Sequence, residues 1–121
     1  MNLDQFKDLV GRALEDIPEE FLKLLENLEI VVEDEPSSDL LDELGLRPDD
    51  ILFGLYQGVP RPDRHFFQGV ILPDRITLFY KAFLRSFRSP KMITEQIRRT
   101  LVHEIAHHFG FSESHIRRLG Y

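Results

Sequence analysis

The chain of 121 residues has the length of one domain, contains no cysteine and carries a net charge of -6. Without cysteine, a disulfide framework and a thiolate zinc centre are excluded, so any metal must be held by histidine, aspartate or glutamate. No stretch approaches the roughly 18 apolar residues of a membrane span, and the start MNLDQFKDLV lacks the features of a secretory signal. These features predict one domain over residues 1–121, located in the cytoplasm and without a membrane partner.

Charge is distributed unevenly along the chain. Residues 1–60 contain 16 acidic and 4 basic side chains, whereas residues 61–121 contain 5 acidic and 11 basic ones. A basic half can indicate nucleic-acid binding, but these basic residues are scattered, and Phe83 and Phe87 in KAFLRSFRSPK are expected in the core. We therefore expect two halves that face each other in one fold, and no nucleic-acid partner.

The first part of the sequence predicts two helices, a strand and a short helical turn. Apolar residues recur at three- and four-residue spacing from Leu3 to Ile17, which predicts an amphipathic helix that Pro18 ends. PEEFLKLLENL predicts a short helix, and the β-branched run in EIVVEDEP predicts a strand that Pro36 closes. SSDLLDELGL is typical of a capped helical turn that ends at Gly45.

Two apolar strands are predicted in the middle of the chain. After the turn RPDD, ILFGLYQGVP indicates a strand whose regularity is broken by Gly54 and Gly58. PRPDRHFFQG is typical of a loop, and VILPDRITLFYKAFL contains a second strand around Ile76 to Tyr80. The two strands and the earlier one are enough for a small sheet.

A long helix is predicted from Ser89, the N-cap, with Pro90 at its first position. Its core-facing stripe consists of apolar residues four apart, namely Ile93, Ile97, Leu101, Ile105 and Phe109. Gly110 ends this helix, and Ser112 can cap a final one. The order of elements predicts an α+β domain in which helices pack on a small mixed sheet, with the long helix near the C-terminus.

The segment HEIAHHFG at the end of the long helix carries candidate metal ligands. His103 and His107 are four residues apart, so both imidazoles project from one face and can bind one ion. Glu104 is turned about 100° from His103, where it can reach a water beside the metal without being a ligand. This H-E-x-x-H arrangement favours a zinc hydrolase over a chance pair of surface histidines.

Two histidines leave a zinc site incomplete, and four residues are candidates for the third ligand. His108 is adjacent to His107 and points about 100° away round the helix. His65 lies in a predicted loop and has no spacing argument. Glu113 and His115 follow the end of the helix, six and eight residues after His107. Both remain open, and the short turn after the helix favours Glu113.

HEIAHHFGFSE resembles the H-E-x-x-H-x-x-G-x-x-D/E pattern of the minimal zincins, a family of compact zincin-like metallopeptidase domains. Four further segments also resemble that family, namely ILFGLYQGVP, LPDRITLFY, IRRTLVHEIAHHFG and IRRLGY. The resemblance therefore covers roughly residues 50–121. It implies a zinc cofactor held by His103, His107 and Glu113, with Glu104 as general base and Gly110 as the turn. Metzincins, which are related in shape, have histidine in place of Glu113, and no methionine follows the motif here to form a Met-turn.

The resemblance implies a zinc-dependent peptidase that binds an extended peptide or protein substrate along an edge strand. Either ILFGLYQG or RITLFYKAF can supply that edge. Tyr56, Tyr80 and Arg75 are candidate oxyanion donors, although each is more often a packing or surface residue. The alternative is a zinc-binding interaction or structural module with little activity, which the short chain favours. Glu104 argues against it, because a structural site needs no base.

Overall fold

The structure is a computed structural model that describes residues 1–58 and 74–121. In chain order its elements are helices α1 (Leu3–Glu15) and α2 (Glu19–Leu22), a 3₁₀ turn (Lys23–Asn27), strand β1 (Leu28–Glu33), helix α3 (Ser38–Glu43), strands β2 (Gly54–Gln57) and β3 (Asp74–Phe79), and helices α4 (Tyr80–Ser86), α5 (Pro90–His108) and α6 (Glu113–Arg118). This confirms the predicted α+β class. The predicted loop PRPDRHFFQG, which includes His65, lies outside the described residues.

The three strands form a mixed sheet in the order β1-β3-β2. β1 runs parallel to β3, with Leu28 opposite Asp74, and β2 runs antiparallel to β3, with Gly54 opposite Leu78. Because β3 is the central strand, the prediction that RITLFYKAF supplies an edge is wrong. β2 is an edge strand of the sheet as far as the described residues go, which leaves ILFGLYQG as the predicted edge.

The second apolar strand is shorter than predicted, because Tyr80 begins helix α4 and β3 ends at Phe79. Buried side chains from there onwards are spaced at helical intervals, with Phe79, Ala82 and Phe83 all turned inwards. The Phe87 N–H donates to the carbonyl of Phe83 at 3.0 Å and ends the helix. A run that is apolar on several sides does not by itself distinguish a strand from a buried helix.

Helix α5 lies between helix α1 and the sheet and forms much of the core. Its predicted stripe of Ile93, Ile97, Leu101 and Ile105 is buried, and α1 contributes Phe6, Leu9, Val10 and Ala13 to the same cluster. Phe109, predicted as the last member of the stripe, is 46% exposed because the helix ends before it at His108. The Ser89 hydroxyl accepts from the Met92 N–H at 3.1 Å, as the predicted cap requires.

The helices described in the structure give no candidate for a membrane crossing. Helix α5 has 19 residues, but the polar residues on its exposed side make it too polar for that role. Burying α5 against both α1 and the sheet instead fixes its position in the domain, and this holds its last two turns beside strand β2.

Candidate metal centre

The last turns of α5 place His103 and His107 side by side. Their ring centroids are 5.9 Å apart with an angle of 36° between the rings, as expected for two side chains one helical turn apart. His103 is partly buried and His107 is exposed. The buried Leu101, Val102, Ile105 and Ala106 around them hold this part of the helix in the core, so the two imidazoles stand on a rigid support.

A tight turn then brings Glu113 back to the two histidines. Gly110 has φ of 79°, its N–H donates to the His107 carbonyl at 3.2 Å, and the Phe111 N–H donates to the Ala106 carbonyl at 2.8 Å. These two bonds form a Schellman motif, which requires the left-handed conformation that glycine adopts readily. The Ser112 hydroxyl caps α6, so Glu113 lies in its first turn.

Glu113 completes a group of three potential ligands. Its Oε1 lies 3.0 Å from Nε2 of His107, and one ligand atom from each of His103, His107 and Glu113 lies within 4.8 Å of the others. In a tetrahedral zinc site with bonds of about 2.1 Å, ligand atoms are about 3.4 Å apart. Small side-chain rotations are enough to close that difference, so two nitrogen donors and one carboxylate fit zinc with a fourth position left for water or substrate.

The other histidines near the motif are directed elsewhere. His115 stacks on Phe111, with 4.8 Å between the ring centroids and 9° between the planes, and lies outside the group of three. His108 stacks on Tyr56 at 3.9 Å, and its Nε2 is 3.9 Å from Oδ2 of Asp74. The structure therefore favours Glu113 over His115 as the third ligand, although ligation itself stays a prediction.

The side chain of Glu104, a residue of α5, faces the edge strand β2. The N–H of Tyr56 donates a hydrogen bond to its carboxylate. Burial raises the pKa of Glu104 above its usual value, and nearby His107 and the hydrogen bond from Tyr56 counteract part of this rise. A carboxylate with increased proton affinity beside a metal site is suited to accept a proton from water.

The register of the sheet explains why the Tyr56 N–H is available to Glu104. The Phe79 N–H donates to the Phe53 carbonyl at 2.8 Å. In an antiparallel ladder every second residue directs its backbone N–H and C=O towards the partner strand. Counting from Phe53, residues 55 and 57 face β3, whereas the backbone groups of Tyr56 point to the opposite edge of β2. Glu104 is on that side.

Gly54 permits the close approach of β2 to α5, which sequence reasoning missed. A Cβ atom at this position would lie 2.8 Å from Cγ2 of Thr100 and 3.1 Å from the carbonyl oxygen of Thr77. The sequence indicated Gly54 only as an irregularity in a strand. A glycine inside a strand often marks a place where another element comes close, and that signal points to this contact.

Asp74 contacts two residues next to the site, Tyr56 and His108, and was not predicted. Its Oδ2 accepts a hydrogen bond from the Tyr56 hydroxyl at 2.7 Å and faces the ring of His108. Asp74, Tyr56 and His108 thus tie the start of β3, the strand β2 and the end of α5 together. The sequence offers no local signal for this, because the three residues are far apart in the chain.

The three candidate oxyanion donors are engaged in other contacts. The Tyr56 hydroxyl donates to Asp74, and the Tyr80 hydroxyl donates to the Met1 carbonyl at 3.0 Å. Nε of Arg75 lies 3.7 Å from a carboxylate oxygen of Glu29 on the neighbouring strand. Their observed contacts are those of packing and surface residues.

A groove extends from the candidate metal centre along α5. It has a volume of about 340 Å³ and lies between α5 and the residues that lead into β2. One side is formed by Ile51, Leu52, Phe53 and Gly54, and the other by Gln96, Arg99, Thr100, His103 and Glu104. The candidate ligand and the candidate base thus line one end of a groove, as a substrate site next to a metal requires.

Comparison with known proteins places these features in context. Residues 25–121 match the profile of a family described as zincin-like metallopeptidase. A comparison with curated proteins found no match. Among solved structures, a conserved hypothetical protein from Thermus thermophilus is similar, with a TM-score of 0.57 and 24% sequence identity over 89% of this chain and 94% of that chain. At this identity the likeness establishes a shared fold.

Proposed function

Because this chain belongs to the zincin-like metallopeptidase family, we propose that it is a zinc-dependent peptidase. In this proposal His103, His107 and Glu113 hold the ion, and Glu104 is the general base. The observation that carries the proposal is the position of Glu104. It is partly buried beside the three potential ligands, and it is held by the backbone of the edge strand along which a peptide would lie.

The residues have distinct tasks in peptide hydrolysis. Zinc, when bound, supplies Lewis acidity towards water and the peptide carbonyl. Glu104 accepts the proton of the attacking water and delivers it to the departing amine. The hydrogen bond from the Tyr56 backbone helps to orient the carboxylate of Glu104, which reduces the cost of positioning it for each proton transfer. Strand β2 orients an extended peptide or protein substrate.

The test separates metal binding from hydrolysis. Zinc-replete wild type should contain about one zinc ion per chain by mass spectrometry and should cleave members of a randomised peptide pool. The variant Glu104→Gln should keep its zinc and lose about 10²- to 10⁴-fold in cleavage rate, because it removes the base and leaves the ligands. His103→Ala should lose the zinc, whereas His115→Ala, a matched histidine outside the group, should keep both zinc and cleavage.

Two results would change the proposal. If Glu104→Gln loses zinc as completely as His107→Ala does, Glu104 is a ligand and the assignment of roles is wrong. If wild type binds zinc and cleaves nothing in the pool, the zinc-binding interaction or structural module becomes the better description.

A further inference from the structure

The groove beside the metal centre runs along one face of α5. From the group of three ligands it follows His103, then Arg99 one turn earlier, then Gln96 almost another turn earlier. Four residues of helix correspond to about 6 Å, and an extended peptide advances about 3.3 Å per residue. A peptide bond that is attacked at the metal therefore has Arg99 about two residues away along the groove.

The charge of the groove changes along its length. At the metal end Glu104 contributes a carboxylate, and about one helical turn further along Arg99 contributes an exposed guanidinium. Within residues 1–58 and 74–121, no carboxylate lies in ion-pair contact with Arg99, and Glu95, one turn before it, makes no such contact either. By contrast, Arg85 lies 3.1 Å from the carboxylate of Glu35.

The side of the groove opposite Arg99 is apolar. Ile51 is 61% exposed, and Leu52 and Phe53 are partly buried beside it. A chain lying in the groove would contact these side chains on one side and the guanidinium on the other. A guanidinium forms paired hydrogen bonds with a carboxylate, and it attracts negative charge more strongly beside apolar walls than in open water.

We propose that this groove binds the residues on one side of the cleaved bond and that Arg99 selects substrates with aspartate or glutamate about two residues from that bond. The inference rests on the proposed peptidase function and adds its substrate class. An acidic residue next to the cleaved bond is disfavoured, because there it would face Glu104. Arg99 acts as a specificity residue and takes no part in proton transfer.

The test uses alanine-rich decapeptides that carry fluorescein and a single Glu, Gln or Lys, placed in turn at each position around the cleaved bond. Wild type should cleave the best Glu peptide about three to ten times more efficiently, in kcat/KM, than its Gln counterpart, as expected for one partly solvated ion pair. Arg99→Glu should reverse this order in favour of Lys. Arg88→Glu, an equal charge change at an exposed residue outside the groove, should retain the order of wild type.

A second readout does not depend on turnover. Fluorescence anisotropy with zinc-loaded Glu104→Gln should show the same preference for the Glu peptide, and adding Arg99→Glu should abolish it. Cleavage without a charge preference, or a preference that survives Arg99→Glu, overturns the inference and leaves the peptidase proposal intact. If the peptides bind with the expected preference and none is cleaved by wild type, the peptidase proposal fails and the recognition of acidic peptides stands. Absence of binding by the Glu peptide overturns the inference in either case.

Discussion

Replacing Gly54 with alanine should force strand β2 away from helix α5. The new Cβ would lie 2.8 Å from Cγ2 of Thr100, 3.1 Å from the Thr77 carbonyl oxygen and 3.3 Å from Cδ2 of Leu78. Carbon atoms in contact are normally about 3.5–4.0 Å apart, so the methyl group overlaps Thr100 by about 0.7 Å or more. The Thr77 oxygen belongs to the backbone of the central strand and cannot move aside cheaply.

The expected loss of stability follows from two opposing contributions. Overpacking of this kind costs about 1–3 kcal/mol, whereas the reduced freedom of the unfolded chain returns about 0.4–1 kcal/mol. The middle of both ranges gives a net loss of about 1.3 kcal/mol. Each kcal/mol lost should lower the Tm by about 3–6 °C in a chain of this size. Urea denaturation followed by circular dichroism measures the loss in free energy of unfolding, provided that the m-value is the same for the variant and the wild type.

Two further variants test the cause of this loss. Thr100→Ser removes the overlapping methyl group but keeps the hydroxyl that accepts a hydrogen bond from Gln96 at 3.2 Å. Combined with Gly54→Ala, it should recover roughly 1 kcal/mol in a double-mutant cycle. Gly11→Ala is the control, because a Cβ there has no neighbour within 4 Å and alanine favours the helix. A Gly54→Ala protein as stable as wild type, or no coupling to Thr100→Ser, would refute this account of the β2–α5 contact.

Three further predictions concern the candidate metal centre. Glu113→Ala should lower zinc affinity at least about tenfold, as measured by competition with a chelating dye. His115→Ala should leave the affinity nearly unchanged. The reverse result would indicate a three-histidine site. Removing zinc with a chelator should lower the Tm, since zinc at 100 times its Kd adds about 2.7 kcal/mol of stability; an unchanged Tm in protein shown to contain zinc would contradict this. In metal-free protein, Glu104→Gln should raise the Tm at pH 8, because burial raises the pKa of Glu104 and its ionised form therefore costs stability. That cost is absent below the ordinary pKa of 4.5 and appears as the pH rises through the folded-state pKa. The difference in Tm between Glu104→Gln and wild type should therefore disappear towards pH 4.5. A difference that does not depend on pH would rule out this cause.

Features that depend only on residues close together in the chain were predictable from the sequence alone. The caps at Ser89 and Ser112, the turn at Gly110 and the pairing of His103 with His107 all follow from helix geometry over a few residues. The same local logic favoured Glu113 as the residue that returns to the histidines, because the turn is short and the next helix begins at once. The α+β class followed from the order of such elements.

The tertiary structure decided which elements meet and how closely. Sequence patterns show that a segment is apolar but do not identify its partner, so they could not establish that β3 is central or that a helix begins at Tyr80. The hydrogen bond from Tyr56 to Glu104 and the close approach at Gly54 join residues more than 40 positions apart. Such contacts depend on how the core packs, and the position of the groove that contains Arg99 depends on the same packing.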